Sequence, residues 1–301
     1  MSAYLAIVNP AAGGGRGALL SAPAIESIRA EGIAVDVFET EGPGDATDKV
    51  REAFRDGRRQ FLSVGGDGTT FEVINGLFPE ALDEPERPTL AILPLGTGNS
   101  FLRDFTTRGA EGTLDALKRG ERQTVDVIRL EHTEGVIFFI NLVSLGFVAD
   151  VGDVTNRWFK RLGESGYILG VLSQLLQLRP QPIPFRVDEG PLETMPLTFL
   201  AACNSQYTGG KMHMAPDANA GDGRIDLILV GSMGRLSLIG TFPKIFHGTH
   251  LNHPATDARR ATRLDFELDG PAAVMVDGEV LTLQPTRLDV LPGALDICIG
   301  E

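Results

Sequence analysis

The chain reads as an α/β domain with a mostly parallel sheet, followed by a mainly antiparallel β-sandwich domain. Three observations predict this. Within residues 1–122, β-rich apolar runs alternate with helix-like segments. From Val125 onward short apolar strands follow one another with few helices. Between the two styles lies a charged segment, Lys118-Arg119-Gly120-Glu121-Arg122.

Taken in order, Tyr4 to Val8, Ile33 to Phe38, Gln60 to Val64 and Thr89 to Leu93 are strands, because β-branched and aromatic residues dominate short apolar runs. Leu19 to Arg29, Asp45 to Arg55 and Thr70 to Phe78 are the helices between them. A βαβα order implies parallel strands covered by helices on both faces, with ligands bound at the strands' carboxyl ends. The second part reads as strands over Val125 to Leu130, Val136 to Asn141, Pro184 to Asp188, Met195 to Cys203, Arg224 to Val230, Arg263 to Leu268, Ala273 to Val276 and Arg287 to Val290. Helical inserts are expected at Val154 to Leu178 and Met233 to Phe246. The domains are therefore 1–122 and 123–301, with the C-terminal residues free to return to the first.

Composition narrows the function classes. The chain has 301 residues, 43% hydrophobic and 22% charged, enough for two cores. Its net charge of −13 opposes nucleic acid and strongly anionic bilayers at long range. Tyr4 to Val8 is too short for a leader, and Ser165 to Leu178 is too short to span a bilayer. Cys203 and Cys298 have neither disulfide nor metal spacing, so a reduced, cytoplasmic protein is expected. His247, His250 and His253 recur every third residue, but Gly248 and Pro254 argue against a regular metal-binding face.

Three strand ends of the first domain run into unusual loops. The first is Asn9-Pro10-Ala11-Ala12-Gly13-Gly14-Gly15-Arg16-Gly17, whose glycines would let backbone N–H groups approach phosphate oxygens. A plain flexible turn explains it equally well, and it lacks a Walker A ending. The second, Gly65-Gly66-Asp67-Gly68-Thr69, is harder to explain as a generic turn, since a βα connection needs only one glycine and a cap. In the third, Leu95-Gly96-Thr97-Gly98-Asn99-Ser100, Thr97 and Asn99 can bond phosphate or cap the next helix.

Together these residues resemble the diacylglycerol kinase superfamily, over nearly the whole chain. The resemblance implies an NAD kinase/diacylglycerol kinase-like fold and transfer of the γ-phosphate of Mg-ATP to a lipid hydroxyl, a diacylglycerol or related glycerolipid. It implies nucleotide contacts at Asn9, Thr40, Gly65, Gly66, Asp67, Gly68, Thr69 and Thr97. Asp126 matches an aspartate grouped with Asp67 in the catalytic polar network. The segment Gly209 to Asp226 resembles one that binds a structural Mg²⁺, with Asp222 giving a carboxylate and Asn219 and Arg224 backbone carbonyls. A simple Asp-Gly turn is the bland alternative there. Asp277, in Asp277-Gly278-Glu279, matches the family's proposed catalytic base, and Asp67 is the second candidate.

A lipid acceptor also needs apolar lining. Ile168, Leu172, Leu175 and Leu176 share one helix face, with Trp158 and Phe159 upstream, although ordinary packing explains such a stripe as well. Many bacterial relatives read Gly-Thr-Ala-Asn-Asp where this chain has Gly98 and Ser100, so a sphingoid base or ceramide is a live alternative acceptor. An NAD kinase-like enzyme and a noncatalytic nucleotide-binding regulator are the other readings; the latter is opposed by the presence of Asp67, Asp222 and Asp277. The expected partner is a lipid met peripherally at the inner membrane surface, and a homodimer is left open.

Overall fold

A computed structural model describes residues 3–95, 99–146 and 180–299. The expected helix at 154–178, with its apolar stripe and Trp158 and Phe159, and the phosphate-loop residue Thr97 lie outside them.

The first domain alternates β1 (Tyr4–Val8), α1 (Ala12–Ala30), β2 (Val35–Glu39), α2 (Asp45–Arg55), β3 (Gln60–Gly65), α3 (Asp67–Leu77), β4 (Thr89–Pro94) and α4 (Ala110–Arg119). All four strands are parallel, in the order β4-β3-β1-β2. Every residue of β1 is buried, as expected for a central parallel strand covered on both faces. In α2 the buried residues Ala46, Val50, Ala53 and Phe54 form one stripe. Its charges also suit the helix dipole, with Asp45 and Asp48 in the first turn and Arg55 in the last. Gly120, left-handed at φ 65°, ends α4.

The remaining elements are β5 (Gln123–His132), β6 (Gly135–Phe139), β7 (Leu142–Leu145), β8 (Gln181–Val187), β9 (Leu192–Cys203), β10 (Tyr207–Thr208), β11 (Met212–His213), β12 (Ile225–Gly231), α5 (Arg235–Thr241), β13 (Thr256–Ala261), β14 (Arg263–Phe266), β15 (Ala272–Val276), β16 (Glu279–Leu283) and β17 (Pro285–Cys298). Their pairings are antiparallel, except that the end of β17 runs parallel to β4. The end of the chain lies beside β4: Asp296, Ile297 and Cys298 pair with Thr89, Leu90 and Ala91. The register of β17 against β5 slips between Leu291 and Leu295, so one long strand joins the antiparallel and parallel parts of a single hydrogen-bonded sheet.

Separate cores match the two styles. One, including Ile7, Val50, Phe61, Ile74 and Leu90, fills one face of the parallel sheet; a second, including Leu145, Phe185, Leu200, Leu227 and Leu288, fills the antiparallel part. Asn75 of α3 ties the first domain to β6. Its Nδ2 donates to Phe138 O at 2.9 Å and its Oδ1 accepts from Phe138 N at 2.9 Å.

Candidate active site

The loops after β1, β3 and β4 meet at the carboxyl end of the parallel sheet. Asn9 N donates to Val64 O at 3.1 Å, and Leu95 N to Gly65 O at 2.8 Å. Asn9 Nδ2 also reaches Thr69 Oγ1 at 3.3 Å. From the end of β2, Thr40 N donates to Val8 O at 2.9 Å. Asn9, Thr40, Gly65, Gly66, Asp67, Gly68 and Thr69 therefore converge at one end of the sheet. Gly13, Gly14 and Gly15 are all left-handed, so α1 becomes helical only after the glycine loop, and a methyl group at Gly13 would lie 2.6 Å from Leu95 O. Arg16, whose Nε donates to Gly13 O at 3.0 Å, adds a cation that sequence reading did not assign.

Gly66 caps α3, whose N-terminal N–H groups and dipole suit an anion. Asp67 in its first turn accepts from Ser100 N at 3.2 Å, joining the β3 and β4 loops. Burial pushes its carboxyl up to about 6, against the hydrogen bonds from Ser100 and Asn99 and with repulsion from Glu279. Ser100, noted in the sequence as a departure from the commoner acidic residue of the resembled family, connects the domains: its Oγ accepts from Gly210 N, in the β10–β11 hairpin, at 2.9 Å.

The β15–β16 turn supplies the opposing side. Asp277 is 6% exposed and left-handed at φ 47°. Its oxygens accept from the backbone N–H groups of Ile140 at 3.1 Å, Asn141 at 3.0 Å and Leu142 at 3.0 Å. Burial raises it to about 7 despite these bonds, and Asp67 adds to the rise. So Asp277 is built in as a strap between the β6–β7 and β15–β16 turns, which does not suit the expected role of an accessible base. Glu279, two residues on, is exposed. A methyl at Gly68 would lie 2.5 Å from Glu279 Oε1, so this carboxylate stands over the first turn of α3. In the sequence the signal for Glu279 is its place beside an Asp-Gly turn, which by itself assigns it no role.

Asp126 also departs from expectation. Its Oδ2 accepts from Gly223 N and its Oδ1 from Gly293 N, both at 2.7 Å. Both oxygens are thus committed to the turn of the expected metal loop and to the β17 irregularity, and the nearby charge raising its carboxyl, after burial, is Asp222. Asp126 is an anchor of that loop rather than a member of the Asp67 network.

In the loop itself Asp222 Oδ1 accepts from Arg224 N at 3.0 Å, and Asn219 O accepts from Asp222 N at 3.3 Å. Among the described residues no three His, Cys, Asp or Glu side chains converge on a metal. The donors expected here are one carboxylate and two carbonyls, hard oxygens that suit Mg²⁺ with several waters. A further fit comes from Asp226 Oδ2, buried without a hydrogen-bond partner and within electrostatic reach of Asp222 and Asp217. Arg260 supplies positive charge, with Nε 3.2 Å from Asp226 Oδ1 and Nη1 3.9 Å from Asp222 Oδ2. The histidines go elsewhere. His250 is buried against Met214 O, and His253 pairs with Ser237.

Residues 3–130 match the model of the diacylglycerol kinase catalytic domain, and residues 141–299 that of the YegS C-terminal NAD kinase beta sandwich-like domain. The chain belongs to the diacylglycerol kinase family. It is 30% identical to a diacylglycerol kinase of Mycobacterium tuberculosis strain H37Rv over 298 residues, 97% of this chain and 93% of that one. A diacylglycerol kinase of Bacillus subtilis strain 168 is 27% identical over 273 residues, covering 87% of each chain. Among solved structures, a protein of Bacillus anthracis strain Sterne described as a candidate diacylglycerol kinase superposes with TM-score 0.78 at 25% identity, covering 99% of this chain and 97% of that one. A diacylglycerol kinase from the same strain, at 24% identity and TM-score 0.71, covering the same shares, shows the shared fold. The two matched modules are joined where Gly210 N donates to Ser100 Oγ, and the converging loops belong to the catalytic-domain match.

Proposed function

We propose that the protein is an ATP-dependent lipid kinase that transfers the γ-phosphate to a lipid hydroxyl, with diacylglycerol or a related glycerolipid as acceptor. The observation that carries this reading is Glu279, an accessible carboxylate of the second domain standing over Gly68 at the anion-binding end of α3. Family membership and relatives that bear the name diacylglycerol kinase support it.

Phosphoryl transfer needs alignment and charge stabilisation more than covalent help. Backbone N–H groups of Gly66 to Thr69 and the α3 dipole would hold phosphate oxygens, with Asn9 bracing Thr69. Asp67 fixes the two loops relative to each other through Ser100. Asp222, with the carbonyls of Asn219 and Arg224, would hold a Mg²⁺ that fastens the second-domain loop, and a Mg²⁺ accompanying the nucleotide would supply neutralisation of phosphate charge. Glu279 accepts the proton of the lipid hydroxyl as its oxygen bonds to phosphorus and ADP departs. Asp277 positions that turn by holding three N–H groups of residues 140–142.

Steady-state kinetics on diacylglycerol in mixed micelles test the assignment. Glu279→Gln should lower kcat by roughly 10²–10⁴-fold with ATP affinity and melting temperature nearly unchanged. Asp277→Asn should lower stability as well as turnover, because an amide cannot accept all three N–H bonds equally. If Glu279→Gln keeps full kcat while a stable Asp277→Asn loses it, the base is Asp277 after all.

A further inference from the structure

Residues 227–256 contain no Asp or Glu, in a chain that holds 40 of them among 301. This acid-free stretch includes α5, none of whose residues is buried. Leu236 is 86% exposed and Ile239 37%. Arg235 and Lys244 are exposed on the same unit.

The underside of the unit is firmly built. Phe242 is buried and meets Phe246 edge-on at 5.8 Å. Ile245 and Leu251 pack on the cluster of Leu142, Cys203 and Met214, and His250 Nε2 lies 3.1 Å from Met214 O. Ser237 Oγ, 2.8 Å from His253 Nε2, pins α5 to this base. A helix so anchored, yet showing its leucine and isoleucine to solvent, is not explained by the core it rests on.

We propose that this face docks on an anionic phospholipid surface, with Leu236 and Ile239 entering the interface and Arg235 and Lys244 meeting the headgroups. The inference deepens the lipid-kinase reading and rests on it for the choice of a bilayer as occupant. Charge complementarity favours that occupant. With a net charge of −13 most of the molecule is repelled by an anionic surface, and the acid-free unit offers a local approach that combines apolar area with basic side chains. Its position also suits delivery of a lipid hydroxyl. Gly248 of the unit lies against Pro216 and His213, next to the β10–β11 hairpin whose Gly210 N binds Ser100 Oγ, and Ser100 N in turn binds Asp67.

Vesicle co-sedimentation of the full chain, with phosphatidylcholine alone or mixed with phosphatidylglycerol, tests the proposal without reading turnover. The wild type should bind the mixed vesicles, less so at high salt. Arg235→Glu with Lys244→Glu should weaken binding by about tenfold or more. Leu236→Glu with Ile239→Glu should do the same, while kcat on a dispersed short-chain diacylglycerol stays level. Both pairs are exposed, and the basic pair reads the surface even if the apolar pair perturbs folding. Unchanged vesicle binding in the charge-reversed protein overturns the proposal. So does gel filtration in which Leu236→Glu splits a dimer while vesicle binding is unaffected, since the face is then a self-interface. If vesicles are bound but no lipid is phosphorylated, the docking surface stands and the kinase reading fails.

Discussion

Asp277 and Glu279 sit in one turn, and their surroundings give them different work. Asp277 is surrounded by three backbone donors, whereas Glu279 is held over Gly68 and left open. Residue type and motif brought the Asp-Gly-Glu turn to attention, but the partners of Asp277 come from residues 140–142, far away in sequence. Long-range bonds of that kind leave no local pattern. Gly65, in contrast, was legible for a reason the structure makes concrete: a methyl there would collide with the side chain of Thr69. Gly65→Ala should therefore displace Thr69 from Asn9 and weaken ATP binding by at least about tenfold in calorimetry. Undiminished affinity would remove this loop from the nucleotide site.

Among the elements, the regular ones were read well. Strands β1, β3, β4, β9, β12 and β15 fall within a few residues of their expected positions, because dense β-branched runs mark buried strands. The edge strand β13, Thr-Asp-Ala-Arg-Arg-Ala, was not expected, since four of its six residues are polar or charged and it pairs only with β12. The two-residue strands of the β10–β11 hairpin were missed as well, being too short for any periodicity. Asp126 illustrates the same limit, for its carboxylate serves a loop and a strand irregularity nearly a hundred residues or more away. Replacing it with Ala would strand the N–H groups of Gly223 and Gly293, so Asp126→Ala should cost about 2–4 kcal/mol in urea denaturation. Asp222→Ala should abolish any stabilisation by Mg²⁺ in a thermal melt. A melt of the wild type that ignores both Mg²⁺ and a chelator would argue against a metal at this loop.

For the molecule as a whole, the αβ alternation and the switch near Gly120 predicted both domains, and the return of β17 joins them. Its acid–base behaviour is a property of burial spread over both. Asp67 is raised to about 6, and Asp104 and Asp277 to about 7, each chiefly by burial. Such groups hold extra protons in the folded state, so their favourable contribution is complete below the unfolded value near 3.8 and is lost as pH rises through about 7. His250, lowered to about 4 by burial, works in the opposite direction, losing stability as pH falls from about 6.5. Asp104→Asn should flatten the decline in stability between about pH 4 and 7, as followed by denaturant melts. An unchanged slope would mean that the Asp104 carboxyl is not shifted by the fold.

The proposed transfer of phosphate from ATP to a lipid hydroxyl takes place where the loops after β1, β3 and β4 face the β15–β16 turn. Labelled ATP offered with diacylglycerol, monoacylglycerol, ceramide, sphingosine, phosphatidylglycerol and NAD in parallel tests it most directly. Mg²⁺-dependent label should appear in a phosphorylated glycerolipid, diacylglycerol foremost, and be lost in Glu279→Gln. Label in NAD alone, or in none of the acceptors with ATP still bound, would contradict it.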